Sequence, residues 1–317
     1  MTDTQNEVFK TPVNKIRLFE HGAPGSQNLK LTRKYYTEDM PDGRVKHIVQ
    51  NITDPDIVPY IPDGIGNSTD RQRIPAVLII PGGAFRRLVY NFEGEDVAKW
   101  LNSMGIAAFV LECRLPSDEH DNAEDVPLID AMRAMRVIRG RAQEFGIDEA
   151  KIGVMGFSAG GFMAALLSTA YESDVYAGYK YKDEYDKLSA RPDFAVCSYP
   201  VISIDDCIEA GKRYMSEEQV LERISDSKAK ILHKYNPDKL VRPDMPPVFI
   251  CETDDDRTTL SENSVGFYMA ARKAGVSAEL HIFRTGGHGY GCGDDFAQTG
   301  EWKVLFTKWI KSIGIIS

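Results

Sequence analysis

The stretch from Lys151 to Leu167 narrows the choice of folds more than any other part of this chain. It begins with an apolar run, continues with Gly-Phe-Ser-Ala-Gly at 156–160, and ends with Phe-Met-Ala-Ala-Leu-Leu. The first part has the pattern of a buried strand, and the last has that of a helix. Small residues beside Ser158 are needed where a strand turns sharply into a helix, because the strained backbone passes close to its neighbours. The pattern predicts a serine that projects from the carboxyl end of a strand; the alternative is a serine on an ordinary glycine turn.

Short apolar runs recur along the whole chain, with amphipathic segments between them. The runs lie at residues 76–80, 106–111, 151–155, 194–199, 248–251 and 278–283. Apolar residues at helical spacing occupy about 94–104, 125–145 and 261–274, and a last amphipathic segment carries Trp302, Phe306 and Trp309. Runs that are apolar throughout are typical of strands buried on both faces, whereas the alternating run at 278–283 indicates a strand nearer an edge. The order predicts an α/β fold with a mostly parallel central sheet flanked by helices.

The chain has 317 residues, enough for one large domain or two ordinary ones. We predict a single domain over residues 1–317. Two regions interrupt the alternation of strands and helices. Residues 1–70, rich in turns, are expected to form an N-terminal extension with the first strands. The polar stretch 204–239 is expected to form a small inserted cap over the carboxyl ends of the strands, where an open α/β sheet binds its ligand.

The charge of the chain argues against two classes of partner. There are 38 lysines and arginines against 47 acidic residues, a net charge of -9, and no basic block. We therefore expect neither nucleic acid nor a membrane as partner. The first residues lack the basic and apolar segments of a secretory signal, and no window approaches the roughly 18 apolar residues of a spanning helix. These features predict a cytoplasmic protein. The sequence is compatible with a monomer and with a homo-oligomer.

The cysteines indicate neither a disulfide framework nor a zinc site. Their number is odd and none of them forms a Cys-x-x-Cys pair. We expect reduced thiols and no metal. The five cysteines are at positions 113, 197, 207, 251 and 292.

A reactive Ser158 needs a base, because a serine hydroxyl is a poor nucleophile until its proton is removed. Of the six histidines, only His288 lies in a glycine-rich loop that follows a strand, within Thr-Gly-Gly-His-Gly-Tyr-Gly. His281 lies inside that strand, and His120 and His233 lie in polar stretches. His288 is therefore the candidate base.

The base in turn needs a carboxylate that orients the imidazole and stabilises its protonated form. The segment 251–257, Cys-Glu-Thr-Asp-Asp-Asp-Arg, follows a strand and supplies several. Asp256 and Asp255 serve about equally well by spacing. The order serine, acid, histidine is the one expected of an α/β-hydrolase.

A third requirement is a set of N–H groups that stabilise negative charge on the reacting carbonyl oxygen. The loop Pro-Gly-Gly-Ala-Phe at 81–85 follows a strand, as such a loop should, although a plain glycine turn is the alternative. Gly83 and Ala84 are the candidate donors, ahead of Gly82. The N–H of Ala159, at the start of the helix after Ser158, is the third candidate for this oxyanion hole.

Six motifs together look like the acetyl-esterase and acetylxylan-esterase-like (BD-FAE-like) branch of the serine esterases in the α/β-hydrolase superfamily. The resemblance runs from about residue 16 to the end, includes an N-terminal extension at 18–24, and is weakest in the expected cap. The motifs are at residues 81–85, 93–95, 101–106, 114–116, 156–161 and 286–291.

The resemblance implies particular site residues and departs from the family at others. In that family the acid stands just ahead of a Val-Val-Pro-like segment, and here 257–260 occupies that place, so Asp256 becomes the acid. This segment, Arg-Thr-Thr-Leu, lacks the proline and valines. Cys113 stands where a tyrosine is usual, and Phe162 where a histidine is common.

The resemblance also implies an activity. It is the hydrolysis of short-chain acyl esters, foremost acetyl, on hemicellulose-derived oligosaccharides, through a Ser-His-Asp catalytic triad and an acyl-enzyme. The implied partner is a small-molecule or oligosaccharide ester, and no metal or organic cofactor is required.

Two other functions fit parts of the same pattern. A peptidase of the prolyl-oligopeptidase type shares the order of Ser158, Asp256 and His288, but such enzymes carry a large β-propeller, for which about 70 preceding residues are too few. A binding protein could keep the fold without the chemistry. Against it stands the presence of a serine, an acid, a histidine and an oxyanion loop in one chain.

Overall fold

The apolar runs of the sequence form the inner strands of an eight-stranded sheet. The computed structural model describes residues 9, 13–65, 73–213, 216, 218–220, 227–293 and 298–317. The strands are β1 (Ile16–Arg17), β2 (Lys34–Asp39), β3 (Val45–Gln50), β4 (Asp56–Tyr60), β5 (Ile74–Ile80), β6 (Leu88–Val89), β7 (Ala107–Glu112), β8 (Ile147–Phe157), β9 (Ala195–Ser198), β10 (Val248–Thr253) and β11 (Ala278–Phe283). The α-helices are α1 (Asp96–Ser103), α2 (Val126–Gly140), α3 (Ala142–Phe145), α4 (Ala159–Ala170), α5 (Ile204–Lys212), α6 (Ser227–Lys234), α7 (Ser261–Lys273) and α8 (Glu301–Ser312).

The large sheet has the order β1-β4-β7-β5-β8-β9-β10-β11. Six neighbouring strands of this sheet run parallel to one another, namely β7, β5, β8, β9, β10 and β11. Beside β7, the strands β4 and β1 continue the sheet in antiparallel pairs. The predicted mostly parallel sheet is thus confirmed, with the run at 278–283 at its edge as β11. Because parallel strands end at the same side of a sheet, the loops after β5, β8, β10 and β11 lie on one side of the molecule.

The core lies on both faces of this sheet. In β5 every residue after Ile74 is buried, and α8 buries Trp302 and Phe306 on the outer layer. The Trp302 ring contacts Trp100 of α1 and Phe157 at the end of β8. Within the described ranges, no helix combines the length and the apolar character needed to cross a lipid bilayer.

The N-terminal extension supports the loop that follows β5. Its strands β1 and β4 belong to the large sheet, whereas β2 and β3 form a hairpin that continues into a three-stranded sheet with β6. Strand β6 begins directly after the loop at 81–87. The Gln50 side chain donates a hydrogen bond of 3.1 Å to the Arg86 carbonyl, so the hairpin holds the far end of this loop.

The segment expected to form a cap lies partly outside the described residues. Its described helices are α5 and α6, and α6 packs against the turn Pro116–Asp118 that follows β7. Lys234 donates to Asp125 at 2.7 Å, and the Tyr235 hydroxyl also donates to Asp125. The C-terminal half of the segment therefore lies beside the carboxyl end of β7. Residues 214, 215, 217 and 221–226, and the side chain of Cys207, are outside the described part of the chain.

Candidate active site

Ser158 occupies a strained turn between β8 and α4. Its backbone angles are φ 53° and ψ -118°, a combination that a residue with a side chain rarely adopts. A Cβ placed on Gly156 would lie 1.9 Å from the Gly160 carbonyl oxygen, and one on Gly160 would lie 2.0 Å from the Ile80 carbonyl oxygen. Only glycine fits at these two positions, so the strand, the turn and the helix pack as the sequence predicts. The Ser158 side chain makes no capping hydrogen bond to the helix.

The Ser158 hydroxyl instead contacts His288. Its Oγ lies 2.9 Å from His288 Nε2. His288 follows β11 in a loop where Gly286, Gly287 and Gly289 have positive φ, so the chain turns tightly enough to bring the ring back over the end of β8. The imidazole is about one-fifth exposed and is therefore accessible from the solvent side.

The other ring nitrogen of His288 contacts Asp256. His288 Nδ1 lies 2.6 Å from Asp256 Oδ2, and the Asp256 carboxyl is buried. The backbone N–H groups of Thr258 and Thr259 donate to its Oδ1 at 2.7 and 2.9 Å. A carboxylate can only accept, so Nδ1 carries the hydrogen and Nε2 is left to accept the proton of Ser158.

Asp255 points to a different partner. Its Oδ1 accepts a hydrogen bond of 2.8 Å from the Gly287 N–H. Slight burial raises the pKa of Asp255, but hydrogen bonds from the Gly287 and Gly286 N–H groups outweigh it and hold the pKa below its ordinary value. Spacing left these two carboxylates open, and the family resemblance implied Asp256. The structure places Asp256 on the imidazole and Asp255 on the loop backbone. His281 lies away from this group and pairs with Glu279 at 2.8 Å.

The loop after β5 packs against the serine. A Cβ on Gly82 would lie 3.0 Å from Ser158 Cβ, and one on Gly83 would lie 2.1 Å from the Arg87 carbonyl oxygen. Gly83 has φ 135° and Ala84 has φ 57°, so two successive residues depart from the ordinary backbone regions.

The N–H groups of this loop differ in availability. The Gly82 N–H donates to Glu93 Oε2 at 2.8 Å, so it is already engaged. Within the described ranges, the N–H groups of Gly83, Ala84 and Ala159 make no hydrogen bond. These three are the candidate donors that the sequence placed ahead of Gly82.

Glu93 and Tyr199 also belong to the site. Glu93 lies in the motif at 93–95, for which the sequence predicted no role in the site, and no pattern in the sequence singled out Tyr199. Glu93 lies in a π-helical turn, Asn91–Glu95, and Tyr199 follows β9 with φ 37°. Both are buried, and the Tyr199 hydroxyl donates to Glu93 Oε1 at 2.9 Å. Their contact joins residues 106 positions apart, which no local pattern reveals.

A narrow apolar cleft adjoins this loop and the first turn of α4. Its walls include Gly82 and Ala159, so it opens beside the candidate oxyanion donors. The apolar side chains that line it are Phe85, Leu88, Leu115, Pro116, Pro127 and Met163.

The BD-FAE family model matches residues 65–270, about two thirds of the chain. The chain belongs to the BD-FAE family. An acetylxylan esterase of Xylanibacter ruminicola is 31% identical over 240 residues, which cover 75% of this chain and 45% of that protein. An endo-1,4-beta-xylanase B of Butyrivibrio fibrisolvens is 31% identical over 227 residues, covering 71% of this chain and 34% of that one. The chain thus spans less than half the length of these curated relatives.

Solved structures agree with this assignment. An acetyl ester-xyloside bifunctional hydrolase from Caldicellulosiruptor lactoaceticus is 37% identical with a TM-score of 0.68, covering 84% of this chain and 91% of that one. A thermophilic esterase from Thermogutta terrifontis is 23% identical with a TM-score of 0.64, covering 93% and 96%, and at that identity it supports the fold alone. The expected α/β-hydrolase fold and the expected family are confirmed.

The BD-FAE match covers only part of the site. It includes Gly83, Ser158 and Asp256 and ends at residue 270, before His288. In this BD-FAE member the place of the histidine is therefore given by the structure and by the glycine-rich loop around it.

Proposed function

We propose that this BD-FAE member is a carboxylic ester hydrolase that removes short acyl groups, foremost acetyl, through Ser158, His288 and Asp256. The observation that carries the proposal is the continuous hydrogen-bonded chain through these side chains. It runs from Ser158 Oγ to His288 Nε2 at 2.9 Å and from His288 Nδ1 to Asp256 at 2.6 Å. This is the arrangement by which a general base activates a serine.

In the first half of the reaction, Ser158 Oγ attacks the ester carbonyl carbon while His288 Nε2 takes the hydroxyl proton. The carbonyl oxygen gains negative charge and accepts hydrogen bonds from Ala159 and from Gly83 or Ala84. Asp256 stabilises the imidazolium. The tetrahedral intermediate collapses, the bond to the alcohol oxygen breaks, and His288 gives its proton to the leaving alcohol.

In the second half, water cleaves the acyl-enzyme. His288 takes a proton from the water, whose oxygen attacks the acyl carbonyl carbon and restores the oxyanion. Collapse breaks the bond to Ser158 Oγ, which receives the proton back from His288, and the carboxylic acid leaves. Every proton is carried by His288, so this mechanism requires no metal or organic cofactor.

The names of the relatives support a substrate class. Two of the similar proteins carry xylan-related ester names, an acetylxylan esterase and an acetyl ester-xyloside hydrolase. We extend this to acetylated xylo-oligosaccharides as substrates here. We place the acyl group at the narrow apolar cleft beside Ala159, because this cleft adjoins the donors that would bind the carbonyl oxygen.

The direct test replaces the serine. Ser158→Ala should lower kcat on 4-nitrophenyl acetate by about six orders of magnitude, as in serine hydrolases without their nucleophile. A fluorophosphonate should label the unchanged protein at Ser158. Ser168→Ala is the matched control, since Ser168 is a buried serine on α4 whose hydroxyl, among the described residues, donates to the Ala164 carbonyl alone. This control should keep wild-type kcat.

Full activity in Ser158→Ala would contradict the mechanism, and a folded protein that neither labels nor hydrolyses would favour a binding protein. The substrate class is tested with 4-nitrophenyl esters from acetyl to octanoyl and with acetylated xylo-oligosaccharides. Acetate release and a preference for the short esters are expected. Cleavage of aminoacyl substrates alone would favour a peptidase.

A further inference from the structure

The proposed mechanism makes no use of the buried carboxyl of Glu93, although this group contacts the site on two sides. It lies 5% exposed in the turn Asn91–Glu95. Within the described ranges no lysine or arginine forms an ion pair with it. Burial raises the pKa of the Glu93 carboxyl, while His288 and the donors Tyr199 and Gly82 act in the opposite direction. Burying a carboxyl group costs free energy unless both of its oxygens accept hydrogen bonds. Here one oxygen accepts a hydrogen bond from Gly82 and the other accepts one from Tyr199.

One oxygen of Glu93 holds the loop after β5. Its Oε2 accepts the Gly82 N–H at 2.8 Å, and the Gly82 carbonyl accepts the Val89 N–H at 2.9 Å. Gly82 is therefore held by hydrogen bonds at both its N–H and its carbonyl group. The next two residues in the chain are Gly83 and Ala84, the candidate oxyanion donors. Neither of their N–H groups has a partner among the described residues. Their unusual φ angles are therefore held by the Gly82 peptide groups on one side and by the Gly83 carbonyl, which accepts the Arg86 N–H at 3.2 Å, on the other.

The other oxygen of Glu93 holds the loop of His288 through Tyr199. Oε1 accepts the Tyr199 O–H at 2.9 Å, and the same hydroxyl oxygen accepts the Gly291 N–H at 3.1 Å. Gly291 is three residues after His288. The Tyr199 ring also packs edge-on against the imidazole, with the ring centroids 5.1 Å apart.

Tyr199 reaches the turn of Asp256 as well. Its carbonyl accepts the Thr259 hydroxyl at 3.2 Å, and the same hydroxyl lies 3.0 Å from Asp256 Oδ2. The positive φ of Tyr199 shows that its backbone is held in an unfavourable region to make these contacts. A single chain of hydrogen bonds thus runs from Gly82 through Glu93 and Tyr199 to Gly291.

We propose that Glu93 is a positioning residue that holds the oxyanion loop, through Gly82, and the His288 loop, through Tyr199, in register with Ser158. The inference rests on the proposed esterase function. Glu93 does not touch the ester. It acts by keeping two separate loops at fixed positions relative to the serine, so that the N–H donors and the base need no rearrangement when charge develops.

The test compares Glu93→Gln with Glu93→Ala. In Glu93→Gln one amide oxygen remains to accept the Gly82 N–H, so kcat should stay within about tenfold of wild type. In Glu93→Ala the loss should approach that of an oxyanion donor, about 100-fold. The loss should fall in kcat and leave KM nearly unchanged. A trifluoromethyl ketone, which forms a tetrahedral adduct on Ser158, should bind more weakly by a similar factor.

Tyr199→Phe provides a second variant should Glu93→Ala not fold. It removes the hydroxyl that joins Glu93 to Gly291 and should lower kcat about tenfold, less than the loss of a whole donor. Tyr176→Phe is its matched control, because the buried Tyr176 also donates to a carboxylate, Asp186 at 2.8 Å, away from the loops of the site. This control should keep wild-type kcat even where it lowers Tm.

The results distinguish a failure of the proposed role of Glu93 from a failure of the esterase mechanism. Wild-type kcat and ketone affinity in a folded Glu93→Ala protein would overturn the role of Glu93, provided that Ser158→Ala is inactive. Equal kcat values for Tyr199→Phe and Tyr176→Phe would overturn it too. Persisting activity in Ser158→Ala would reject the esterase mechanism itself, and with it the role of Glu93.

Discussion

The assignment of roles to two adjacent aspartates is a question at the scale of single residues. Asp256 contacts the imidazole of His288, whereas Asp255 accepts the Gly287 N–H. Asp256→Asn should lower kcat/KM for 4-nitrophenyl acetate by about four orders of magnitude, because an amide next to Nδ1 favours the wrong tautomer of the imidazole. Asp255→Asn should cost less than about tenfold, since an amide oxygen still accepts the Gly287 N–H.

The adjacent pair makes each variant the control for the other. Both changes replace a carboxylate by an amide at adjacent positions of one turn, so a general electrostatic effect would act on both. A larger loss in Asp255→Asn than in Asp256→Asn would contradict the proposed roles. Steady-state kinetics over pH 6 to 9 with both proteins, after a check of folding by circular dichroism, gives the comparison.

The individual site residues that the sequence could predict are those with a recognisable local pattern. Ser158 and His288 each lie among glycines at the end of a strand, and that context is visible in the sequence. Spacing did not decide between Asp255 and Asp256, because the choice depends on how the turn at 257–260 directs two N–H groups onto Asp256. Only the family resemblance indicated Asp256. The motif at 93–95 entered the sequence analysis only as part of the family resemblance. The contact between Glu93 and Tyr199 was not predicted, because it exists only after β9 and the turn after β6 come together.

At the scale of elements, the loop after β7 contains a buried histidine that should respond to pH. The Ser26 hydroxyl lies 3.0 Å from His120 Nδ1, and the Ser26 oxygen accepts a hydrogen bond of 2.8 Å from Arg114. The hydroxyl hydrogen is therefore free to point at Nδ1, which must be unprotonated to accept it. Burial and the charge of Arg114 lower the pKa of His120 from 6.5 to about 4.

This lowered pKa predicts a loss of stability in acid. Between pH 6.5 and about 4 the unfolded chain binds a proton at His120 that the folded protein does not, so the free energy of unfolding falls as the pH falls. The loss between pH 7 and pH 5 should be about 2 kcal/mol. It is measured by urea unfolding as the difference between wild type and His120→Gln, whose amide oxygen can still accept from Ser26. Parallel pH curves for the two proteins would contradict it.

The elements that pattern predicted best are those with many apolar residues. The runs at 76–80 and 248–251 became β5 and β10, and the segment at 261–274 became α7. The three-stranded sheet was not predicted, because its strand β6 has only two residues and pairs with a distant hairpin. The expected helix at 94–104 begins at Asp96, after the π-helical turn that carries Glu93. Such a turn has no apolar period of its own.

At the scale of the whole molecule, one partly buried arginine ties the N-terminal extension to β7 of the large sheet. Arg33, which precedes β2, donates to Glu112 at the end of β7 with a distance of 2.7 Å, and it also donates to Asp56 of β4. The Glu112 carboxyl is fully buried and is shared with Lys15 at 2.6 Å. The sequence predicted the extension as a turn-rich region with the first strands, without the ion pairs that hold it. The extension is held in place by the ion pair between Arg33 and Glu112, which are 79 positions apart in the sequence.

Replacement of Arg33 should destabilise the whole fold, because Arg33 joins β4 to β7 and precedes the hairpin that holds the loop of the oxyanion donors. Arg33→Met leaves Asp56 without its cation and Glu112 with Lys15 alone, and breaking a buried ion pair on one side costs about 3 kcal/mol or more. Arg17→Met is the matched control, since Arg17 faces Asp54 at 4.0 Å with both side chains largely exposed, and such a pair contributes less than about 1 kcal/mol. Urea unfolding of both variants, followed by tryptophan fluorescence, measures the difference. Equal losses would mean that Glu112 is held well enough by Lys15, and that the hairpin stays in place without the arginine.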